Sequence, residues 1–336
     1  GSDEAFALAT AYGLFHWGIS AWSIYGIPAI ALSIAFYKYK LSTLRLSSSL
    51  RGLGIKNVEE SLGGRLIDFI FVIATVGAAG GTIGSYIPML SSGFSDIFSI
   101  EKSFSLDLQV LALCVGLFGF SVYAGLTKGI KRLSDLNLLL AITFLIIILF
   151  IGPGLDILRS SVEGFVYTVK YFWDMSTLGI LEQSDFADAW TIFYWAWWVA
   201  FGPLVALFIA RISKGRTLRE LILGMLVFGS LGTWLFYMIL GGYSMSLEQN
   251  EIFGVMDSLK ELGHADTAIS IVHTMPVDST MLLLFCLITI IFVTTSYDSM
   301  SFVIAYHVQK NSSEQKDPDK ELRLFWALVL GILPAA

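Results

Sequence analysis

Long apolar stretches recur along the chain at about 7–37, 66–91, 106–126, 133–152, 189–210, 220–242, 281–308 and 324–336, with polar segments between them. Crossing a hydrocarbon core of about 30 Å takes about 20 residues of α-helix. Seven of these stretches are long enough, and the run after 324 reads as part of an eighth. A different pattern occupies the segment "DILRSSVEGFVYTVKYFW", where apolar and polar residues alternate at helical spacing. It predicts an amphipathic helix over about 154–178 lying in the membrane interface. The expected fold class is therefore an all-α polytopic membrane protein, with 1–336 forming a single transmembrane domain. The chain starts without Met and stops inside the apolar run "LGILPAA", so it reads as a piece of a longer protein, incomplete at both ends.

Composition agrees: 55% of residues are hydrophobic and 14% charged, and the mean hydropathy is +0.73. Of the 21 basic residues, 17 fall in segments 38–65, 127–134, 211–219 and 309–323, and four in the alternate segments. The positive-inside rule places the first group in the cytoplasm and suits a bacterial or archaeal cytoplasmic membrane. Asp156, Glu163, Asp174, Glu182, Asp185 and Asp188 crowd one outer segment. The net charge of −6 is thus an outward-facing feature and offers nothing to nucleic acid. Cys114 and Cys286 lie inside spans and read as packing residues; neither a disulfide nor a metal centre is implied. No HExxH or GxSxG motif occurs, so an enzyme is not expected and no cofactor is called for.

Three spans contain helix-weakening residues: Gly202-Pro203, "GAAGGTIGS" (77–85) and "VTTSYDS" (293–299). In lipid, a broken helix leaves backbone groups without partners unless they line a cavity or bind something. Discontinuous helices near the midplane point to a transporter's binding site. These three sites are the expected breaks.

Two spans carry an aromatic face. At 100° per residue, Trp195, Trp197, Trp198 and Phe201 fall within an arc of about 160°, with Tyr194 inside it and Ala196 and Ala200 behind. In the first span Trp17, Trp22 and Tyr25 cover about 140°. Trp190 and Tyr194 fit ordinary helix packing. An aromatic belt would place its rings at span ends, whereas Trp22, Tyr25, Trp198 and Phe201 lie well inside. Two such faces can form a box for a cation that donates no hydrogen bonds, each ring contributing about 0.5–2 kcal/mol when desolvated. A buried carboxylate would have to stay charged and desolvated in the empty site. The apolar parts of the two aromatic spans hold none.

"FHWGISAWSIYG" (15–26) together with "FYWAWWVAFGPLVALFIARISKGRTLRE" (193–220) resembles the betaine/choline/carnitine transporter family, over essentially the whole chain and from about its fourth to its eleventh helix. The resemblance implies a LeuT-like fold of two inverted five-helix repeats, sodium symport and homotrimers. It gives Trp17, Trp22, Tyr25, Trp195, Trp197 and Trp198 substrate-binding roles. Phe201 departs from the pattern, which usually has Trp there; it keeps a π face but loses the indole N–H. "FVTTSYDS" supplies hydroxyls of Thr295 and Ser296 and the carbonyl of Phe292, oxygens that suit a hard cation, and these positions match the family's main sodium site. Of its second sodium site only Thr75 matches, because Ala79 and Leu204 replace a hydroxyl and an aromatic ring. A weakened or absent second ion is the expectation.

Asp298 is a gating or ion-balance candidate by its depth in a span; pairing with nearby hydroxyls is the alternative. Arg211, Lys214, Arg216 and Arg219 read as solvated inner-side cations rather than gate contacts. His16, His264, His273 and His307 form no ligand set. The expected function is uptake of a quaternary-ammonium solute such as glycine betaine, choline or carnitine, with alternating access. A sodium-independent exchanger and a non-transporting solute sensor remain the alternatives.

Overall fold

The computed structural model describes residues 2–40, 45–55, 57–124, 127–181, 185–309 and 317–333. Among these there is no strand, and seven helical stretches are long and apolar enough to cross a membrane: Glu4–Lys38, Leu62–Phe98, Phe104–Tyr123, Lys131–Ile151, Ala187–Ile212, Leu218–Gln249 and Asp278–Val308. The protein is an all-α polytopic membrane protein.

The first stretch is two helices, α1 (Asp3–His16) and α2 (Ile19–Ser33), followed by a π-helical turn Ile34–Lys38. Next come α3 (Leu62–Phe98), α4 (Phe104–Ala124), α5 (Thr127–Ile151) and α6 (Gly154–Leu181). A π turn Ala187–Ile192 leads into α7 (Phe193–Ile212). The sixth span is segmented: α8 (Leu218–Leu223), π turn Gly224–Gly229, α9 (Ser230–Phe236), π turn Tyr237–Gly241 and α10 (Gly242–Gln249). The chain ends with α11 (Val255–His273), α12 (Asp278–Val308) and α13 (Lys320–Ile332). Residues 125–126 and 334–336, which fall in two of the expected stretches, lie outside the described residues.

Local sequence sets the ends. Ser61 caps α3 by accepting the Gly64 amide at 3.0 Å, and Thr217 and Glu220 form a reciprocal capping box on α8. Within α11, Gly263 takes φ +80°, a left-handed conformation that separates two helical pieces. Packing is organised around α2 against α7, with α3 and α12 beside them, α12 against α13 and α1 against α6. Thr168 on α6 donates to the Ala11 carbonyl at 3.2 Å. The opposite side of α6 exposes Leu155, Val162, Val166, Val169 and Trp173.

The three expected breaks are absent. Residues 77–85, 202–203 and 293–299 all lie inside continuous helices. In an apolar surround, leaving the helix would orphan backbone groups at several kcal/mol each, which exceeds the roughly 1 kcal/mol helix penalty of a glycine. Thr82, Ser85 and Thr295 return their hydroxyls to the helix, donating to Ala78, Gly81 and Ile291 carbonyls at 3.1, 3.0 and 2.8 Å. Gly81 serves packing instead: a Cβ there would sit 3.1 Å from the Trp197 ring.

Candidate solute-binding site

The break lies between His16 and Ile19, inside the first aromatic motif. Ending α1 in the protein interior leaves its last carbonyls without helical N–H partners. Side chains take them up. The Trp234 indole donates to the Leu14 carbonyl at 2.8 Å and the Trp198 indole to the His16 carbonyl at 2.9 Å. Ser20 donates to the Phe15 carbonyl and Thr233 to the Trp17 carbonyl. Gly18 is required at this point, since a Cβ would lie 2.3 Å from both the Leu14 carbonyl oxygen and the Trp234 indole nitrogen.

Around the break, rings from the first and fifth spans meet. Trp17 stands edge-to-face with Trp198 at a centroid distance of 4.6 Å, and Tyr25 with Trp198 at 5.8 Å. Trp22 joins through Tyr25 at 5.7 Å. Tyr194 stacks on Trp198 at 5.8 Å and Tyr237 leans on Trp17 at 5.8 Å. Trp198 is only 5% exposed. Its N–H is committed to the backbone, so it can offer a solute only its π surface. The Trp17 indole N–H, by contrast, is buried and has no partner among the described residues.

The other expected ligands sit apart from this cluster. Trp197 and Phe201 stack in parallel at 6.3 Å, with Trp197 turned towards Gly81 on α3. Trp195 forms no ring pair among the described residues, and its indole N–H is buried without a partner. The structure thus assembles Trp17, Trp22, Tyr25 and Trp198 and leaves Trp195, Trp197 and Phe201 on other parts of α7.

At the ion positions, Thr295 donates to the Ile291 and Phe292 carbonyls at 2.8 and 3.3 Å, while Ser296 and Phe292 are exposed. The helix is not loosened there, so the Phe292 carbonyl is not freed. The Thr75 hydroxyl is fully buried without a partner. The Ala79 carbonyl accepts from Tyr297, and Leu204 is buried.

Asp298 is paired with a residue of another helix and not with hydroxyls: Arg323 on α13 approaches it at 3.3 Å, and both are 5% exposed. Arg211 departs from the solvated reading of its cluster. It lies 4.4 and 4.9 Å from the Phe302 and Tyr306 ring centroids and 2.9 Å from Asp317. Lys214, Arg216 and Arg219 are exposed.

Sequence reasoning missed Thr233, Trp234 and the structural duty of the Trp198 N–H. A usable signal was present in "GSLGTW" (229–234), a Gly-rich stretch in mid-span next to an indole.

A family profile described as "BCCT, betaine/carnitine/choline family transporter" matches residues 1–336. The chain is 30% identical over 335 residues to the uncharacterized transporter YeaV of Escherichia coli, covering 99% of this chain and 69% of that protein. It is 31% identical to a carnitine transporter of Acinetobacter baumannii, covering 100% of this chain and 61% of the relative. It is also 31% identical to the glycine betaine transporter OpuD of Bacillus subtilis, covering 99% and 64%. The chain therefore spans a little under two thirds of the length of the latter two relatives.

Proposed function

Because the chain belongs to the betaine/carnitine/choline family of transporters, we propose that it takes up a quaternary-ammonium solute by sodium symport with alternating access. Family membership makes it a multi-pass membrane transport protein and not an enzyme, which fits a bacterial inner membrane. Relatives named for carnitine and glycine betaine support the solute class. The observation that carries the reading is the cluster of Trp17, Tyr25 and Trp198 at the one broken point of the first span. Such rings attract an onium group by about 0.5–2 kcal/mol each. The unpartnered Trp17 N–H offers a donor to the carboxylate of a zwitterionic solute.

Sodium coupling rests on donor chemistry. Thr295 gives its proton inward to the helix and keeps hydroxyl lone pairs for a hard cation, with Ser296 beside it. A zwitterion gains nothing from membrane potential, whereas one co-transported charge supplies roughly 2.3 kcal/mol per 100 mV, about a fiftyfold gradient. The second ion position is poorly equipped. Ala79 has its carbonyl engaged by Tyr297 and Leu204 offers no oxygen, leaving Thr75 alone. The stoichiometry is then one sodium ion per cycle. Exchange without an ion is less well supported, because no Lys or Arg lies between Ile67 and Glu101 to stand in for sodium.

Uptake of radiolabelled glycine betaine, carnitine and choline into proteoliposomes, with and without an inward sodium gradient, tests the proposal. Sodium-stimulated accumulation of at least one solute is expected. Binding without uptake would make the protein a sensor, and equal counterflow with or without sodium would make it an exchanger.

A further inference from the structure

The first and sixth spans close on each other through three seats in which a ring of one span rests on a glycine of the other. A Cβ at Gly13 would come 2.8 Å from the Tyr237 ring, at Gly18 2.3 Å from the Trp234 indole, and at Gly229 2.4 Å from the Trp22 ring. The seats run in opposite directions along the two spans, so the register between them is fixed at three successive points. Between the outer two seats, Thr233 and Trp234 make the hydrogen bonds that satisfy the Trp17 and Leu14 carbonyls. Both belong to α9, which is bounded by the π turns Gly224–Gly229 and Tyr237–Gly241. Each π turn adds a residue to the helical repeat and rotates the helix beyond it. At spacing i, i+1 and i+4, Thr233, Trp234 and Tyr237 share one side of the helix, and that side faces the break.

We infer that Thr233 and Trp234 are positioning residues for solute binding: by holding the Trp17 and Leu14 carbonyls they fix the angle of the break and hence the placement of the Trp17 ring against Trp198. Neither residue needs to touch the solute. Trp17 depends on them most, since its own carbonyl is the acceptor for Thr233 while its ring leans on Tyr237. Losing the Thr233 donor leaves the Trp17 carbonyl without its partner in a water-poor interior. The break then relaxes to find another donor, and the ring moves with it. The inference rests on the onium-site reading above.

The test uses the full-length protein in proteoliposomes, with glycine betaine, carnitine and choline as probes. Thr233→Val and Trp234→Phe are expected to raise the half-saturating concentration of the transported solute about three- to tenfold, the equivalent of one lost hydrogen bond. Maximal rate and the sodium half-saturation should stay within about twofold, the signature of weakened binding rather than a damaged cycle. Thr233→Ser, which restores the hydroxyl, should return the parent affinity.

Unchanged solute affinity in both Thr233→Val and Trp234→Phe would overturn the inference, as would a fall in maximal rate alone or failure of Thr233→Ser to restore affinity. Misfolding of both loss-of-donor variants would make these contacts folding contacts and overturn it as well. A parent protein that takes up none of the three solutes would instead remove the solute reading on which the inference stands.

Discussion

The Asp298–Arg323 pair is the most exacting place to perturb the inner half of the molecule. The two groups join α12 to α13, lie 3.3 Å apart and are each 5% exposed. At that separation and an effective dielectric of about 20, their attraction is about 5 kcal/mol. Against it stands a desolvation penalty of several kcal/mol for each ion, so the intact pair contributes little net stability. Removing one partner is another matter, because it leaves an uncompensated charge in the interior. Arg323→Met is expected to destabilise the protein by about 3–5 kcal/mol, and Asp298→Asn, which strands the guanidinium over Phe302, by a similar amount. The combined variant should recover most of the loss.

Thermal unfolding of all four proteins in one detergent gives the comparison, with single-variant midpoints lower by roughly 4–7 °C and a double-variant midpoint close to the parent. Sodium-driven uptake separates the two roles open to the carboxylate. As a tie between helices, Asp298 can be replaced together with Arg323 and transport survives. As a group in ion balance, its loss leaves the double variant stable and inactive. Single variants as stable as the parent, or a double variant no better than the worse single, would refute the reasoning.

The sodium dependence of uptake should have a Hill coefficient near one, since Thr75 alone remains of the second ion position; a clear value near two would contradict this. Trp17→Phe keeps a ring and deletes the unpartnered indole N–H, so it should weaken glycine betaine and carnitine by about threefold to tenfold while sparing choline, which has no carboxylate. Competition binding measures the difference, and equal losses for all three would exclude the donor role. On the outer side, Asp266 is partly buried, which raises its carboxyl pKa, but hydrogen bonds from Lys102 and Ser92 together with the Lys102 charge lower it more, and the net shift is downwards. A depressed folded-state value means that this contact stabilises at neutral pH and is lost as pH falls through the folded pKa, below the usual carboxylate range near 4. Because the pair is about one third exposed, the effect should be small, about 0.2–1 kcal/mol. Midpoints measured from pH 7 down to pH 3 should fall less steeply for Asp266→Asn than for the parent; parallel curves would exclude it.

The apolar pattern made the architecture legible because every span must be long, helical and nearly free of charge to cross lipid. The aromatic faces were legible only in part: the helical repeat places Trp22 and Tyr25 along α2 and Trp198 on α7, whereas Trp17 lies in the break, where the continuous-helix repeat does not apply. What the residues alone hid was the location of the break. Gly202-Pro203 and the run 77–85 look like interruptions, yet the helix persists through both. In lipid the backbone gives up its own hydrogen bonds only where side chains can replace them. Besides the local Ser20, those replacements are Trp198, Thr233 and Trp234, which come from two other spans. No local reading of "FHWGISAW" contains them. Arg211 and Asp298 show the same limit, since their ion-pair partners, Asp317 and Arg323, come from the polar segment after α12 and the start of α13, and only the second pair is buried.

The reading of the site depends on positive charge held by π faces, and one comparison isolates that. Glycine betaine and 3,3-dimethylbutanoate have nearly the same shape, but carbon replaces the ammonium nitrogen in the second. Binding of each to the full-length protein, monitored by tryptophan fluorescence with sodium present, should show betaine saturating and the carbon analogue weaker by at least about tenfold, as the loss of two or three cation–π contacts requires. Equal affinity for the two compounds would mean that shape and not charge is recognised, and the aromatic cage would have to be abandoned.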